Sequence, residues 1–224
     1  MQKKYSDCLR NKRVALVGPS WHTKHTMQAE LIESYDIVVR MNIGLIISEK
    51  KQLDIGKRTD ILYCSLGAYF FKNNILSKNN IKKAGIKWII GTGHHRGGFK
   101  NEVFAKMDKK VNTLMIDRKR FKHVVSMVET KKKITSGVIT IFDLLQYEIS
   151  ELYLTGFTFY NIFFPRKKKK YYYKDYMKGY LSKASAPYAA HDNKKEFYCF
   201  KKMCYNDKRI VCDGVLNDIF KNNK

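Results

Sequence analysis

The chain has 224 residues, 44% of them hydrophobic, which suits one domain with a real core. Lys and Arg number 44 against 20 Asp and Glu, a formal net charge of +24 that favours anionic partners: nucleic acid, a membrane surface, or small anionic substrates. No apolar run reaches the roughly 18 residues of a membrane helix, and three Pro with 13 Gly are too few for long disordered linkers.

Strand and helix signals alternate along the chain. "RVALVG" (13–18) is a short apolar run ending in Gly, a buried-strand signal. "TKHTMQAELIESY" (23–35) carries Met27, Leu31 and Ile32 at helical spacing. Strands are predicted at "YDIVVRMN" (35–42), "TDILYCSL" (59–66), "IKWIIGTG" (86–93) and "NTLMID" (112–117). "RFKHVVSMVETK" (120–131) reads as a helix. "TSGVITIFDLLQYEI" (135–149) reads as a buried one, apolar on more than one side. A strand "ELYLTGF" (151–157), a helix over 193–206, a short strand "RIVC" and a final helix complete the order. Such alternation predicts an α/β class, a Rossmann-like parallel sheet covered on both faces.

One segment falls outside this pattern. "FFPRKKKKYYYKDYMKGYLSKASAP" (163–187) has no apolar periodicity and sits between a strand and the His191 helix. A loop of this length is either a functional lid or a solvated insertion. The excess of lysine over arginine, with abundant Asn, Ile and Tyr, is also what an AT-biased genome would give.

Five cysteines, at positions 8, 64, 199, 204 and 212, form no CxxC pair and do not resemble a disulfide framework. The N-terminal "MQKKYSDCLRNKR" has no apolar signal core. These features predict a soluble, intracellular protein.

Several places are candidates for chemistry. In "VGPSWH" (17–22) a strand runs into a small-residue turn and then a predicted helix, which would present backbone N–H groups to an anion. There Ser20 either caps the helix or bonds a phosphate. The segment is neither a Walker loop nor GxGxxG. "ITSGVITIF" (134–142) repeats the logic: Ser136 and Gly137 open a buried helix, as an ordinary cap or as a ligand contact. "GTGHHRGG" (91–98) offers His94 and His95, but no His/Cys/Asp cluster has zinc-like spacing and no D-x-D pair is present. His22 and His25 could share one side of a helix. His191, with Glu196 five residues later in "HDNKKE", is a general base, a metal ligand or a helix-start residue.

Taken in order, these strings resemble the sialyltransferases of glycosyltransferase family 29. "VALVGPS", "ELIESYDIVVRMN" and "GKRTDILY" are similar to the family's large sialylmotif. "TSGVITIFDLLQYEISELYLTGFTFY" is similar to the small motif, and "HDNKKE" to the very small one. The resemblance covers most of residues 13–200. It implies one domain over 1–224 with a variant GT-A fold and a Lys/Tyr-rich loop or lid at 163–187. The implied reaction is inverting and uses no metal or other cofactor. It moves sialic acid from CMP-sialic acid to a glycan hydroxyl. His191 would be the base, with Glu196 beside it in the catalytic set. Gly18, Ser20 and Asn42 would line the cytidine and phosphate pocket. Ser136 and Gly137 would hold the nucleotide or the donor carboxylate, and Gly156 and Phe157 would pack near the nucleoside.

The chain departs from the family in four respects. Val14 and Ile149 stand where the family has a disulfide, a joint replacement that fits a reducing compartment. Pro19 stands where the family has Asn. The counterpart of the third motif, "YYYKD" (171–175), lacks the family's histidine, so Tyr172, Tyr173 or a lysine would meet the leaving phosphate. The family's membrane anchor has no counterpart, as in a minimal soluble member of microbial or viral origin. Three other readings stand beside this one: a nucleic-acid-binding protein using the Lys/Tyr-rich surface, transfer of another CMP-linked acidic sugar, and a family-like scaffold without activity.

Overall fold

Seven short apolar segments build the sheet. They are β1 (Arg13–Val17), β2 (Ile37–Met41), β3 (Ile61–Cys64), β4 (Trp88–Gly91), β5 (Asn112–Met115), β6 (Glu151–Thr155) and β7 (Ile210–Cys212). In the computed structural model, which describes residues 1–45, 47–67, 74–93, 110–159 and 191–222, they pair side by side in the order β5-β4-β3-β2-β1-β6-β7. Every pairing is parallel. The inner strands β1 to β4 and β6 are buried on both faces, which is why they are nearly continuously apolar and not alternating, whereas the edge strands β5 and β7 are only partly buried. The predicted loop at 163–187, with His94 and His95, lies outside the described residues.

Eight helices cover the sheet among the described residues: α1 (Gln2–Leu9), α2 (Ala29–Glu33), α3 (Glu49–Ile55), α4 (Lys78–Ala84), α5 (Arg118–Val128), α6 (Ser136–Leu145), α7 (Asn193–Asn206) and α8 (Gly214–Asn222). Val14 and Leu16 of β1 point to one face, into a core shared with Tyr5 of α1, Phe142 of α6, Phe197 of α7 and Leu216 of α8. Ala15 and Val17 point to the other, against Ile32 of α2 and Ile55 of α3. The α/β sandwich read from the alternation of elements is therefore the observed architecture.

α6 is the most deeply packed helix. All eight residues from Val138 to Leu145 are buried, including Asp143. That carboxylate accepts the Tyr63 hydroxyl proton at 2.7 Å and lies 3.6 Å from the Arg120 guanidinium. Burial pushes its pKa up to about 6, against the opposing pull of Tyr63 and Arg120. Val14 and Ile149 are both buried in the same apolar cluster.

The predicted helix over 23–35 is the main difference. Only Ala29–Glu33 is α-helical, preceded by a 3₁₀ turn at Trp21–Thr23. His25 and Met27 both have left-handed backbone, φ 65° and 51°, which no α-helix accommodates. The Met27 and Gln28 N–H groups donate to the Asp54 side chain and carbonyl at 3.3 and 3.1 Å, tying this stretch to the end of α3. α1, α3 and α4 are helices that the periodicity did not announce. No helix of the described residues is long and apolar enough to cross a membrane.

Candidate active site

The strand order locates a crevice. The chain runs outward from β1 through β2 to β5, then returns to the opposite side of β1 with β6 and β7. The carboxyl ends of β1 and β6 thus form the topological switch point, where open α/β sheets hold ligands. Gly18 follows β1 there, and Gly156 follows β6.

These two glycines let two backbones touch. A Cβ on Gly18 would lie 2.3 Å from the Gly156 carbonyl oxygen, and one on Gly156 would lie 2.5 Å from that of Gly18. Gly156 also takes φ +75°, which favours glycine. Phe157 comes next, and its ring lies 3.2 Å from a Cβ built on Gly18 and 3.1 Å from one built on Gly137. One aromatic ring therefore bridges the β1 loop and the first turn of α6. The sequence candidates Gly18, Gly137, Gly156 and Phe157 converge at this point.

Ser20 behaves differently from the sequence expectation. It precedes a 3₁₀ turn and caps no α-helix. Its N–H donates to the Gly156 carbonyl at 3.0 Å, and the Gly18 N–H donates to Thr155 at 2.7 Å. These two N–H groups are thus taken up within the fold, and the turn leads into a 3₁₀ turn and not the predicted α-helix. The Ser20 hydroxyl lies 3.1 Å from His22 Nδ1 and 3.3 Å from Thr158 Oγ1. Asn42, with φ 53°, opens a 3₁₀ turn after β2, and its side-chain oxygen accepts the Ser65 N–H at 3.1 Å.

The start of α6 is a true helix N-terminus. Thr135 is its N-cap, with Oγ1 accepting the Val138 N–H at 3.4 Å. Ser136 is half-buried, and its hydroxyl lies 3.4 Å from Thr92 Oγ1 just beyond β4.

Glu196 holds this start in place. It is 1% exposed on the first turn of α7. Its carboxylate accepts the Thr135 N–H at 3.1 Å and the Thr135 hydroxyl proton at 2.5 Å. Burial pushes its pKa up to about 7, and the two Thr135 bonds oppose that rise. The sequence reading grouped Glu196 with the catalytic residues. Here its carboxylate is engaged with the Thr135 N–H and hydroxyl.

His191 lies on the same side of this joint. Its Nδ1 is 2.7 Å from the Lys133 carbonyl oxygen. A carbonyl only accepts, so the ring proton sits on Nδ1, and in the neutral ring Nε2 carries the lone pair. Burial lowers the His191 pKa, the Lys133 carbonyl bond raises it, and the Lys133 charge lowers it further. The net depression keeps the imidazole neutral at pH 7, the form a general base needs.

Sequence reasoning missed Lys133 and Thr158, whose parts are backbone and hydroxyl contacts with no motif of their own. It also missed Asp213, which is 7% exposed. Asp213 accepts the Thr155 hydroxyl proton at 2.7 Å, the Gly156 N–H at 3.2 Å and the Leu216 N–H at 2.8 Å. An aspartate directly before the final helix was a readable capping signal. Among the described residues no group of three or more His, Cys, Asp or Glu is placed to hold a metal ion.

The chain matches no family model and no curated protein by sequence. It is similar in fold to solved sialyltransferases. The sialyltransferase CstII from Campylobacter jejuni, solved with the substrate analogue cytidine-5′-monophosphate, is 18% identical, with a TM-score of 0.59 over 91% of this chain and 80% of that one. A mammalian sialyltransferase in complex with Gal-beta-1-3GalNAc-ortho-nitrophenol is 19% identical, with a TM-score of 0.58 over 91% of this chain and 69% of that one. The monofunctional alpha-2,3-sialyltransferase Cst-I from Campylobacter jejuni is 16% identical, with a TM-score of 0.58 over 90% and 75%.

Proposed function

We propose that this chain is an inverting, metal-independent glycosyltransferase of family 29. It would move sialic acid, or a related acidic sugar, from a CMP-sugar to a glycan hydroxyl. The observation that carries the reading is the His191–Lys133 hydrogen bond, which assigns a basic Nε2 to a ring anchored beside the start of α6. The fold shared with sialyltransferases solved with cytidine-5′-monophosphate supports the choice of nucleotide.

In this mechanism His191 Nε2 takes the proton of the acceptor hydroxyl as its oxygen attacks the anomeric carbon. The sugar–phosphate bond breaks and CMP departs from the opposite face, which inverts the centre. Gly18, Gly137, Gly156 and Phe157 form the floor of the nucleoside pocket, where side chains larger than hydrogen would collide with backbone or ring. Ser136 and Asn42 add polar contacts at its edge. Fixed donors of this kind stabilise developing phosphate charge without reorganising. The basic surplus of the chain draws in an anionic donor.

Two measurements test the reading. CMP is expected to raise the melting temperature at micromolar to millimolar concentrations, and a single-stranded oligonucleotide is not expected to do better. Donor turnover, screened across CMP-sugars, is expected to persist in EDTA. Loss of turnover restored by Mn²⁺ or Mg²⁺ would rule the mechanism out, and stronger protection by the oligonucleotide would favour nucleic-acid binding.

A further inference from the structure

Asp213 does more than a helix cap requires. It stands between the last residue of β7 and the first of α8, and it is buried. Its Oδ1 accepts the Leu216 N–H at 2.8 Å, the bond that an N-cap makes to the first turn of its helix. Its Oδ2 is turned toward the end of β6. There it accepts the Thr155 hydroxyl proton at 2.7 Å and the Gly156 N–H at 3.2 Å. A serine would cap α8 as well, so the second oxygen has a separate role.

That role centres on one peptide. The unit joining Thr155 to Gly156 has its carbonyl on the Gly18 N–H at 2.7 Å and its N–H on Asp213. Both ends are held, one by the β1 loop and one by the C-terminal elements. Gly156 continues with φ +75°, and its own carbonyl accepts the Ser20 N–H at 3.0 Å. Gly156 is buried, so removal of the carboxylate oxygen strips a buried donor of this acceptor. A peptide that ends on glycine then rotates at little steric cost. Rotation carries the Thr155 carbonyl off Gly18 and shifts Phe157, whose ring spans Gly18 and Gly137.

We infer that Asp213 is a positioning residue for the nucleoside pocket: from the junction of β7 and α8 it fixes the Thr155–Gly156 peptide, and through it the Gly18 contact and the Phe157 ring. This rests on the proposed CMP-sugar transfer, and it adds to that site a residue 57 positions away from the glycine it holds. Asp213 touches no substrate in this scheme and moves no proton. It acts on how the nucleoside is received and not on the transfer step. A carboxylate suits the position because it only accepts, and the Thr155 hydroxyl, the Gly156 N–H and the Leu216 N–H all point at it. Asparagine has the same shape, but its NH₂ end must face either the Leu216 N–H or the Gly156 N–H.

The test separates capping from positioning. Asp213→Ser keeps a capping oxygen for α8 but is one bond too short to serve β6 as well. Calorimetric titration of the full chain measures cytidine and CMP, and steady-state kinetics measures KM and kcat for a CMP-sugar donor. Asp213→Ser is expected to lose about tenfold in affinity for both ligands, because the phosphate is not involved. Donor KM should rise by a similar factor, with kcat at saturating donor nearly unchanged. Ile219→Ala, which opens a cavity under the same helix, is the control: its urea midpoint is expected to fall with both affinities unaltered. Should the serine variant fail to fold, Thr155→Val removes one of the two β6 donors and is expected to show the same loss in smaller measure. Unchanged affinities and KM in the folded variant, a fall in kcat alone, or an equal loss in Ile219→Ala overturns the assignment and leaves Asp213 a cap. A wild type that binds neither cytidine nor CMP overturns the reading of the site, and this assignment with it.

Discussion

The His191 imidazole donates its Nδ1 proton to the Lys133 carbonyl across 2.7 Å, two residues before the Thr135 that Glu196 holds. One hydrogen bond thus settles the tautomer of the candidate base and joins it to the helix start on which Ser136 stands. His191→Ala is expected to lower transfer by about 10²–10⁴-fold, the usual share of a general base. CMP affinity should be nearly unchanged, because in the proposed mechanism the base contacts the acceptor and not the nucleotide. Steady-state kinetics with a CMP titration separates the two effects. Transfer at the wild-type rate would exclude His191 as the base.

The depressed His191 pKa sets a pH expectation. The ring must be neutral to accept a proton, and burial lets it stay neutral below its ordinary value. The acidic limb of kcat/KM is therefore expected below about pH 6.5, the unperturbed histidine value. A pH–rate profile on the free enzyme measures it, and a limb well above that value contradicts the assignment.

Glu196 makes a second pH prediction, on stability. Its folded pKa, about 7, is raised above that of the unfolded chain. The carboxyl therefore contributes stability that is full below about pH 4 and lost as pH rises through about 7, on the order of 3 kcal/mol. In Glu196→Gln that dependence disappears. Urea unfolding of wild type and variant between pH 4 and 7.5 should show wild type losing ground by this amount. A constant offset across the range would count against it.

The contact between Gly18 and Gly156 predicts unequal costs for alanine. Gly18→Ala places a methyl 2.3 Å from a backbone oxygen, and overpacking of this kind costs about 1–3 kcal/mol. Gly137→Ala meets no backbone, only the Phe157 ring at 3.1 Å and the Met41 sulfur at 3.8 Å, and the helix gains up to about 1 kcal/mol from alanine. Denaturation should rank Gly18→Ala as clearly less stable. Gly137→Ala should weaken CMP binding instead, by displacing Phe157.

All five cysteines are free in the structure. Thiol titration after unfolding is expected to find five thiols with or without reductant. In the native protein Cys64 should react slowest, because it is the fully buried one of the five, and burial also pushes its pKa up to about 12. A stable intramolecular bridge in the native chain would refute this.

Much of the fold was legible in the sequence for one physical reason. A parallel strand buried on both faces must be apolar at nearly every position, so β1 to β4 and β6 stand out as short runs of Val, Ile and Leu. α6 and α7 were legible from their apolar spacing, and α7 runs over the predicted 193–206. α2 was misread because helical spacing over 23–35 does not reveal left-handed backbone at His25 and Met27. α1, α3 and α4 were passed over, being short and mostly polar, with one or two buried apolar anchors each.

By itself the sequence determined the parallel α/β class, the order of the elements, the free cysteines and the small residues at the strand ends, because local pattern and composition carry that information. The tertiary structure decided what those residues touch. It brought Gly18 against Gly156, set Phe157 between Gly18 and Gly137, engaged Glu196 with Thr135 and turned His191 toward the Lys133 carbonyl. These contacts join positions 20 to 139 residues apart. No local pattern encodes which carbonyl will face an imidazole. That follows from the order in which the strands pack, which places the ends of β1 and β6 side by side.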